Sequence, residues 1–306
     1  MADARTDPRR TLEAYAALVR VPNLFTAPPD VILGAALVTA AGFAVDLPAI
    51  AGLAVASILL YAAGTTLNDA FDAPVDAEER PERPIPSGRI SRTAAFAFGG
   101  ILLVAGVAVA GAAAGFAGGA VAAALAAVIV LYDGLLKDSA AGFLAMGTTR
   151  GLNVLLGTTI VGLPTRLPIP VWFAVAVVTV YIAAVTYMAA GETEVGGRTA
   201  VAVAGGAALL AAVAAAGYLL AMWPGAVPVG LGIALALAFL WWVGRPLWRA
   251  YTDPEPGTIG PAVGACVLGL VLLDAAFAAV AGVAWALAVA VFLVPAVGLS
   301  RVFEVS

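Results

Sequence analysis

Apolar runs of about 20 residues recur along this chain, at 23–45, 48–70, 93–113, 115–135, 140–162, 168–190, 199–222, 226–243, 258–280 and 282–300. Each is long enough to cross a hydrocarbon core of about 30 Å as a helix, which satisfies its own backbone polar groups where no water can. The pattern predicts an all-α, polytopic transmembrane bundle of nine spans. A tenth is available in 282–300, set off only by Ala281 and Gly282. Residues 1–22 are charged and lack a long apolar core, so they read as a cytoplasmic lead-in rather than a cleaved signal, and 23–303 as a single domain.

The polar interruptions are unequal. Gly111–Gly119 and Trp223–Pro228 are short, apolar and rich in Gly or Pro, whereas Asn68–Arg92 holds six acidic and four basic residues in 25 positions. Smaller polar connections follow at Tyr132–Asp138, Gly191–Thr199 and Arg245–Gly257. Basic residues collect on the side of the amino terminus, from Arg5 and Arg20 through Arg80, Arg83, Arg89 and Arg92 to Lys137, Arg198, Arg245 and Arg249, with Arg166 opposite. That asymmetry predicts a cell-membrane protein with its amino terminus and its polar cap cytoplasmic.

Composition narrows the chemistry. With 63% hydrophobic and 11% charged residues, against roughly 25% charged in a soluble domain, a soluble globule, a disordered chain and a nucleic-acid partner are excluded. Membrane lipids are the expected surroundings. A single cysteine, Cys266, and no histidine remove disulfides, haem ligation, ordinary zinc sites and imidazole catalysis. Carboxylate, Arg, Lys, Tyr, Asn and hydroxyl groups remain.

The densest set of these lies where the second run ends. Asn68, Asp72 and Asp76 are spaced i, i+4, i+8, so a continuing helix is expected to stack them on one face, with Asp69 beside them. Pro74 is expected to break that helix and leave Asp76 in a loop. Carboxylates at a helix carboxyl end repel its partial negative charge unless cations neutralise them. Hard oxygen donors suit Mg²⁺, which keeps much of its water and bridges carboxylates to substrate phosphates. The expectation is a carboxylate–Mg²⁺–diphosphate sandwich at the membrane surface, with Arg83 either anchoring the loop or gripping phosphate.

The segment Asn68-Asp69-x-x-Asp72-x-x-x-Asp76, followed by Arg80-Pro81-Glu82-Arg83-Pro84-Ile85-Pro86-Ser87-Gly88, resembles the first aspartate-rich motif of the UbiA superfamily of intramembrane prenyltransferases. Arg20-x-x-Asn23, and Tyr132 followed by Lys137, resemble the family pattern too. The resemblance implies a bundle around a central cavity that takes an isoprenoid diphosphate and a lipophilic acceptor, aromatic or lipid. It also implies Mg²⁺ held by two acidic motifs. It assigns Mg²⁺ and diphosphate to Asn68, Asp72 and Asp76, with Asp69 alongside, diphosphate contact to Lys137, and the neighbourhood of the reacting carbon to Tyr132. In the second motif Gly196-Gly197-Arg198-Thr199 supplies the tail, which puts Glu192 at the second acidic position and Met188 at the first, with Glu194 as a nearby substitute and Arg198 as added charge toward substrate. The branch it is most similar to is the EboC-like group.

Within the spans, Arg150 and Asn153 share a helix face, and a charged residue there is by default a functional candidate. Asp30 is expected near Asn23, and Asp274 in a structural pairing far from the cap. The leading expectation is a Mg²⁺-dependent prenyltransferase; the alternative is a carrier or transporter that kept the bundle and lost the chemistry. The array of a CDP-alcohol phosphotransferase is absent.

Overall fold

The computed structural model describes residues 8–137, 139–190 and 197–300, and every regular element among them is helical. Two short helices, α1 (Pro8–Leu18) and α2 (Val21–Leu24), lead into α3 (Ala27–Ala40), whose first turn carries Pro28 and Pro29, where missing N–H groups cost nothing. Next come α4 (Leu47–Glu79) and α5 (Arg92–Leu131), packed along their length. A π-helical turn, Tyr132–Leu136, leads to α6 (Ala140–Thr158). The chain continues through α7 (Ile169–Ala190), α8 (Arg198–Met222), α9 (Ala226–Thr252) and α10 (Pro256–Ala278), and closes with α11 (Val283–Ala290) and α12 (Leu293–Ser300).

Among the described residues, seven helices are long and apolar enough to cross a membrane by length and composition. The predicted runs at 93–113 and 115–135 are the two arms of α5, which is broken at Ala114 and at Gly115, where φ is +62°. The arms return so closely that a Cβ on Gly118 would sit 2.3 Å from the Ala110 carbonyl. The run available as a tenth span, Val283–Leu299, is shorter than the other spans and is divided into α11 and α12, eight residues each.

At 33 residues, α4 is about 50 Å long and outruns the core of the bilayer, so its last turns carry carboxylates beyond the apolar region. Pro74 does not break it, which corrects the expectation that Asp76 lies in a loop. Proline has no N–H to give the Ala70 carbonyl one turn back; Arg92 Nε gives it one instead, at 2.8 Å. Arg92 lies over the Phe96 ring, which packs edge-on against Phe71 of α4.

Small residues bring α3 against α6. A Cβ on Gly34 would meet Val154 O, and one on Gly157 would meet Val31 O, each at 2.0 Å. Backbone contact of this kind is how helices associate where lipid removes any hydrophobic drive. It lays the middle of α6 across the first turn of α3.

Candidate functional site

The helix end that bears the acidic motif presents two faces. Each i, i+4 step turns a helix by about 40°, so Asp76 has drifted about 80° from Asn68 and aligns with Asp69. The expected single stack is corrected accordingly. Asp69 accepts from Arg20 Nη2 at 2.8 Å, and Arg83 Nη1 bridges both Asp76 oxygens at 2.9 and 2.8 Å while lying 3.8 Å from Asp69. Asn68 and Asp72 face the π turn: Asn68 Nδ2 donates to Asp133 Oδ1 at 2.9 Å, and Lys137 Nζ donates to Asp72 Oδ2.

Local structure sets these partners. Arg20 sits in the left-handed region at φ +51°, a conformation that costs a non-glycine residue of order 1–3 kcal/mol and persists where surroundings enforce it. It stands between α1 and α2, and its ion pair ties that junction to Asp69 of α4. The π turn re-aims Tyr132, Asp133 and Lys137 at the end of a helix, as π turns do near functional sites.

Beneath the cap opens a cavity of about 860 Å³ whose mouth holds Arg20, Asn23, Asn68, Tyr132, Asp133 and Lys137. Its walls are apolar, among them Leu60, Leu125, Ile129, Ile182, Val185 and Leu268. Deeper along α4, Ser57 and Tyr61 meet Arg150 and Asn153 of α6. Arg150 donates to Thr26 O at 2.9 Å, Thr26 Oγ1 at 2.9 Å and Asp30 Oδ2 at 3.1 Å, with the Tyr61 ring 5.2 Å away. Asn153 Nδ2 donates to Ala27 O at 2.9 Å and Asp30 Oδ2 at 2.8 Å. The buried Asp274 carboxyl lies beside that of Asp30 and so borders this polar layer, but neither of its oxygens has a hydrogen-bond partner among the described residues, and the structural pairing expected of it is not seen there.

The sequence-predicted residues thus fall into groups. Asn68, Tyr132, Lys137, Arg20 and Asn23 line the mouth, Asp72 stands behind it against Lys137, and Arg150 and Asn153 lie deeper in the same cavity. Asp69, Asp76 and Arg83 form buried ion pairs beside it. Arg198 is exposed and donates to Thr252 O at 3.3 Å, outside the cavity lining. Glu192 and Glu194 lie outside the described residues, while Met188 is fully buried. The reading of the sequence missed Asp133. Its signal was one carboxylate at the end of an apolar run, between two residues already singled out.

Among the described residues no three carboxylate, histidine or cysteine side chains form a metal-holding group. The donor set nevertheless fits Mg²⁺: the bonds to Asp133 and Lys137 run through Asn68 Nδ2 and Asp72 Oδ2, so that Asn68 Oδ1 and Asp72 Oδ1 can face a cation, and Mg²⁺ is commonly held by one or two carboxylates plus substrate phosphates. Four carboxylates, of Asp69, Asp72, Asp76 and Asp133, face three cations, of Arg20, Arg83 and Lys137. A divalent cation reverses the sign of that balance and makes the mouth receptive to a diphosphate.

Known proteins resemble this chain in sequence and in fold. The sequence model of the UbiA prenyltransferase family matches residues 31–259. A digeranylgeranylglyceryl phosphate synthase of Haloquadratum walsbyi is 40% identical over 102 residues, 33% of this chain and 35% of that one. The chain spans less than half the length of the curated relatives it matches. The solved structure of a UbiA homologue from Aeropyrum pernix superposes with a TM-score of 0.64 at 17% identity, covering 83% of this chain and 96% of the other. A homologue from Archaeoglobus fulgidus, solved with GPP and Mg²⁺, gives 0.58 at 16% identity, covering 86% and 99%.

Proposed function

Because the chain belongs to the UbiA prenyltransferase family, we propose that it transfers a prenyl group from an isoprenoid diphosphate to the hydroxyl of a glyceryl phosphate lipid, within the membrane. The observation that carries this reading is a carboxylate-and-cation cap at the mouth of an apolar cavity of about 860 Å³. The names of the similar curated relatives support the acceptor class. The Archaeoglobus fulgidus homologue with GPP and Mg²⁺ supports the donor class and the metal.

Asn68 and Asp72 would hold Mg²⁺, which when bound neutralises charge on the departing diphosphate. Lys137 and Arg20 stand where diphosphate oxygens would lie, and such preorganised charge stabilises the leaving group without reorganising during the reaction. Tyr132 would stand beside the allylic carbon, and the apolar wall would hold the tail and keep water from it. The bond between that carbon and the diphosphate oxygen breaks, a carbon–oxygen bond to the acceptor forms, and the acceptor hydroxyl gives its proton to the departing diphosphate. Asp69, Asp76 and Arg83 hold the helix end in place. Glu192 and Glu194 are further candidates for the metal, and Arg198 for the rim.

The test is Mg²⁺-dependent release of diphosphate from geranylgeranyl or farnesyl diphosphate by purified protein, with glyceryl phosphate lipids or aromatic acceptors supplied in turn. Release only with an aromatic acceptor would overturn the acceptor class. A carrier that binds without transferring is favoured by one observation, the buried Met188 at a position where the family has an acidic residue; no release at any chain length would decide for it. The cell membrane, with the cap cytoplasmic, is the proposed location. A Ser87→Cys variant labelled by an impermeant thiol reagent from the outside of intact cells would refute that orientation.

A further inference from the structure

The cations around the main cavity each face a carboxylate, Arg20 with Asp69, Arg83 with Asp76, Lys137 with Asp72 and Arg150 with Asp30, and the two at its mouth, Arg20 and Lys137, are assigned above to the donor diphosphate. The reaction proposed above nevertheless brings two anionic substrates, a diphosphate donor and a phosphorylated acceptor. A second cavity, of about 550 Å³, lies where α9 ends and α10 begins, and its lining holds both Arg245 and Arg249. Among the described residues no carboxylate lines it. Neither guanidinium has an ion-pair partner among the described residues. The two arginines are one turn apart on α9, where like charges repel; an anion between them converts that repulsion into two attractions. The guanidinium fork matches phosphate oxygens two at a time.

The position of this groove matters as much as its charge. Trp242, Pro261 and Ala265 line both it and the main cavity. Trp242 Nε1 donates to Ala265 O at 3.1 Å, joining α9 to α10 at the shared wall. A lipid whose phosphate sits on the arginines meets apolar surface, Trp241, Trp242 and Pro246, on the way to the cavity.

We propose that this groove recognises the phosphate of the lipid acceptor through Arg245 and Arg249 before the acceptor hydroxyl reaches the prenyl carbon. The proposal rests on the reading of function given above and adds a site for the second substrate.

The test compares geranylgeranylglyceryl phosphate with the same lipid lacking its phosphate, on the wild-type protein and on the doubly substituted Arg245→Gln, Arg249→Gln protein. The KM for the phosphorylated acceptor should rise roughly tenfold or more, with the KM for the prenyl diphosphate and the handling of the neutral acceptor unchanged. Replacing both arginines by lysine keeps the charge and loses the fork, so a smaller rise is expected. An unchanged acceptor KM, or equal weakening of both acceptors, overturns the proposal. So does a difference abolished by excess phosphatidylglycerol, which would assign the groove to bulk anionic lipid. Equilibrium binding of both lipids in detergent, without prenyl diphosphate, separates this proposal from the catalytic one. Selective loss of the phosphorylated lipid supports the groove even if turnover fails, and equal binding sinks it while turnover stands.

Discussion

Replacing Asp76 with Asn separates the two faces of the α4 terminus. The substitution removes a carboxylate that is 7% exposed from an Arg83 that is 9% exposed and bonded to both its oxygens. Stripping one partner from a buried pair leaves an uncompensated charge, a loss of about 3–5 kcal/mol. Asp69, 3.8 Å from the same guanidinium, takes up part of that charge, so we expect a value near the lower end, about 3 kcal/mol. Asp72→Asn should behave differently. Its pair with Lys137 is 24% and 31% exposed, and such pairs contribute about 1 kcal/mol or less; stability should barely change while Mg²⁺-dependent diphosphate release is lost. The assay measures unfolding in detergent alongside initial rates on the same preparations. A joint Asp76→Leu, Arg83→Met replacement should recover stability, since apolar residues of similar volume commonly substitute for a buried pair without loss. The reasoning is refuted if Asp76→Asn unfolds like wild type yet releases no diphosphate, because Asp76 would then act on the metal or substrate.

Three further predictions probe the scaffold. Arg92→Met should orphan the Ala70 carbonyl and destabilise the protein by about 1–3 kcal/mol, and Pro74→Ala, which restores the helical N–H, should rescue it; failure of that rescue in thermal unfolding would show that Arg92 does not act through this carbonyl. Gly157→Ala places a methyl 2.0 Å from Val31 O, so α3 must move off α6, at a cost of about 1–3 kcal/mol; an unshifted melting temperature would contradict the packing described. Asp274→Asn supplies a donor to Asp30 Oδ1, which is buried without a partner, and should stabilise the fold by about 1 kcal/mol; a lowered melting temperature would show that the Asp274 carboxylate is itself required.

Much of this was legible before any coordinates. Twenty-residue apolar runs leave a chain little choice but to form membrane helices, because backbone polar groups have no other partners in lipid. The motif at Asn68–Gly88 and the pairing of Tyr132 with Lys137 pointed to the helix ends where the cap stands. Local rules failed where a local group was satisfied from far away. Pro74 reads as a break, and only an arginine 18 positions on, held over Phe96, lets the helix continue. Likewise, 282–300 reads as one run, yet it is divided into α11 and α12.

Sequence by itself determined the solvent, the helices and the chemistry, since hydropathy, the lack of histidine and the cluster of carboxylates are properties of residues and short spacings. Only the tertiary structure decided which carboxylate meets which cation. Asn68 and Asp133 are 65 positions apart and Asp30 and Arg150 are 120, so their pairing depends on how helices pack and rotate. That rotation, about 100° per residue, separates Asn68 and Asp72, which face the π turn at the cavity mouth, from Asp69 and Asp76, which hold the helix in place.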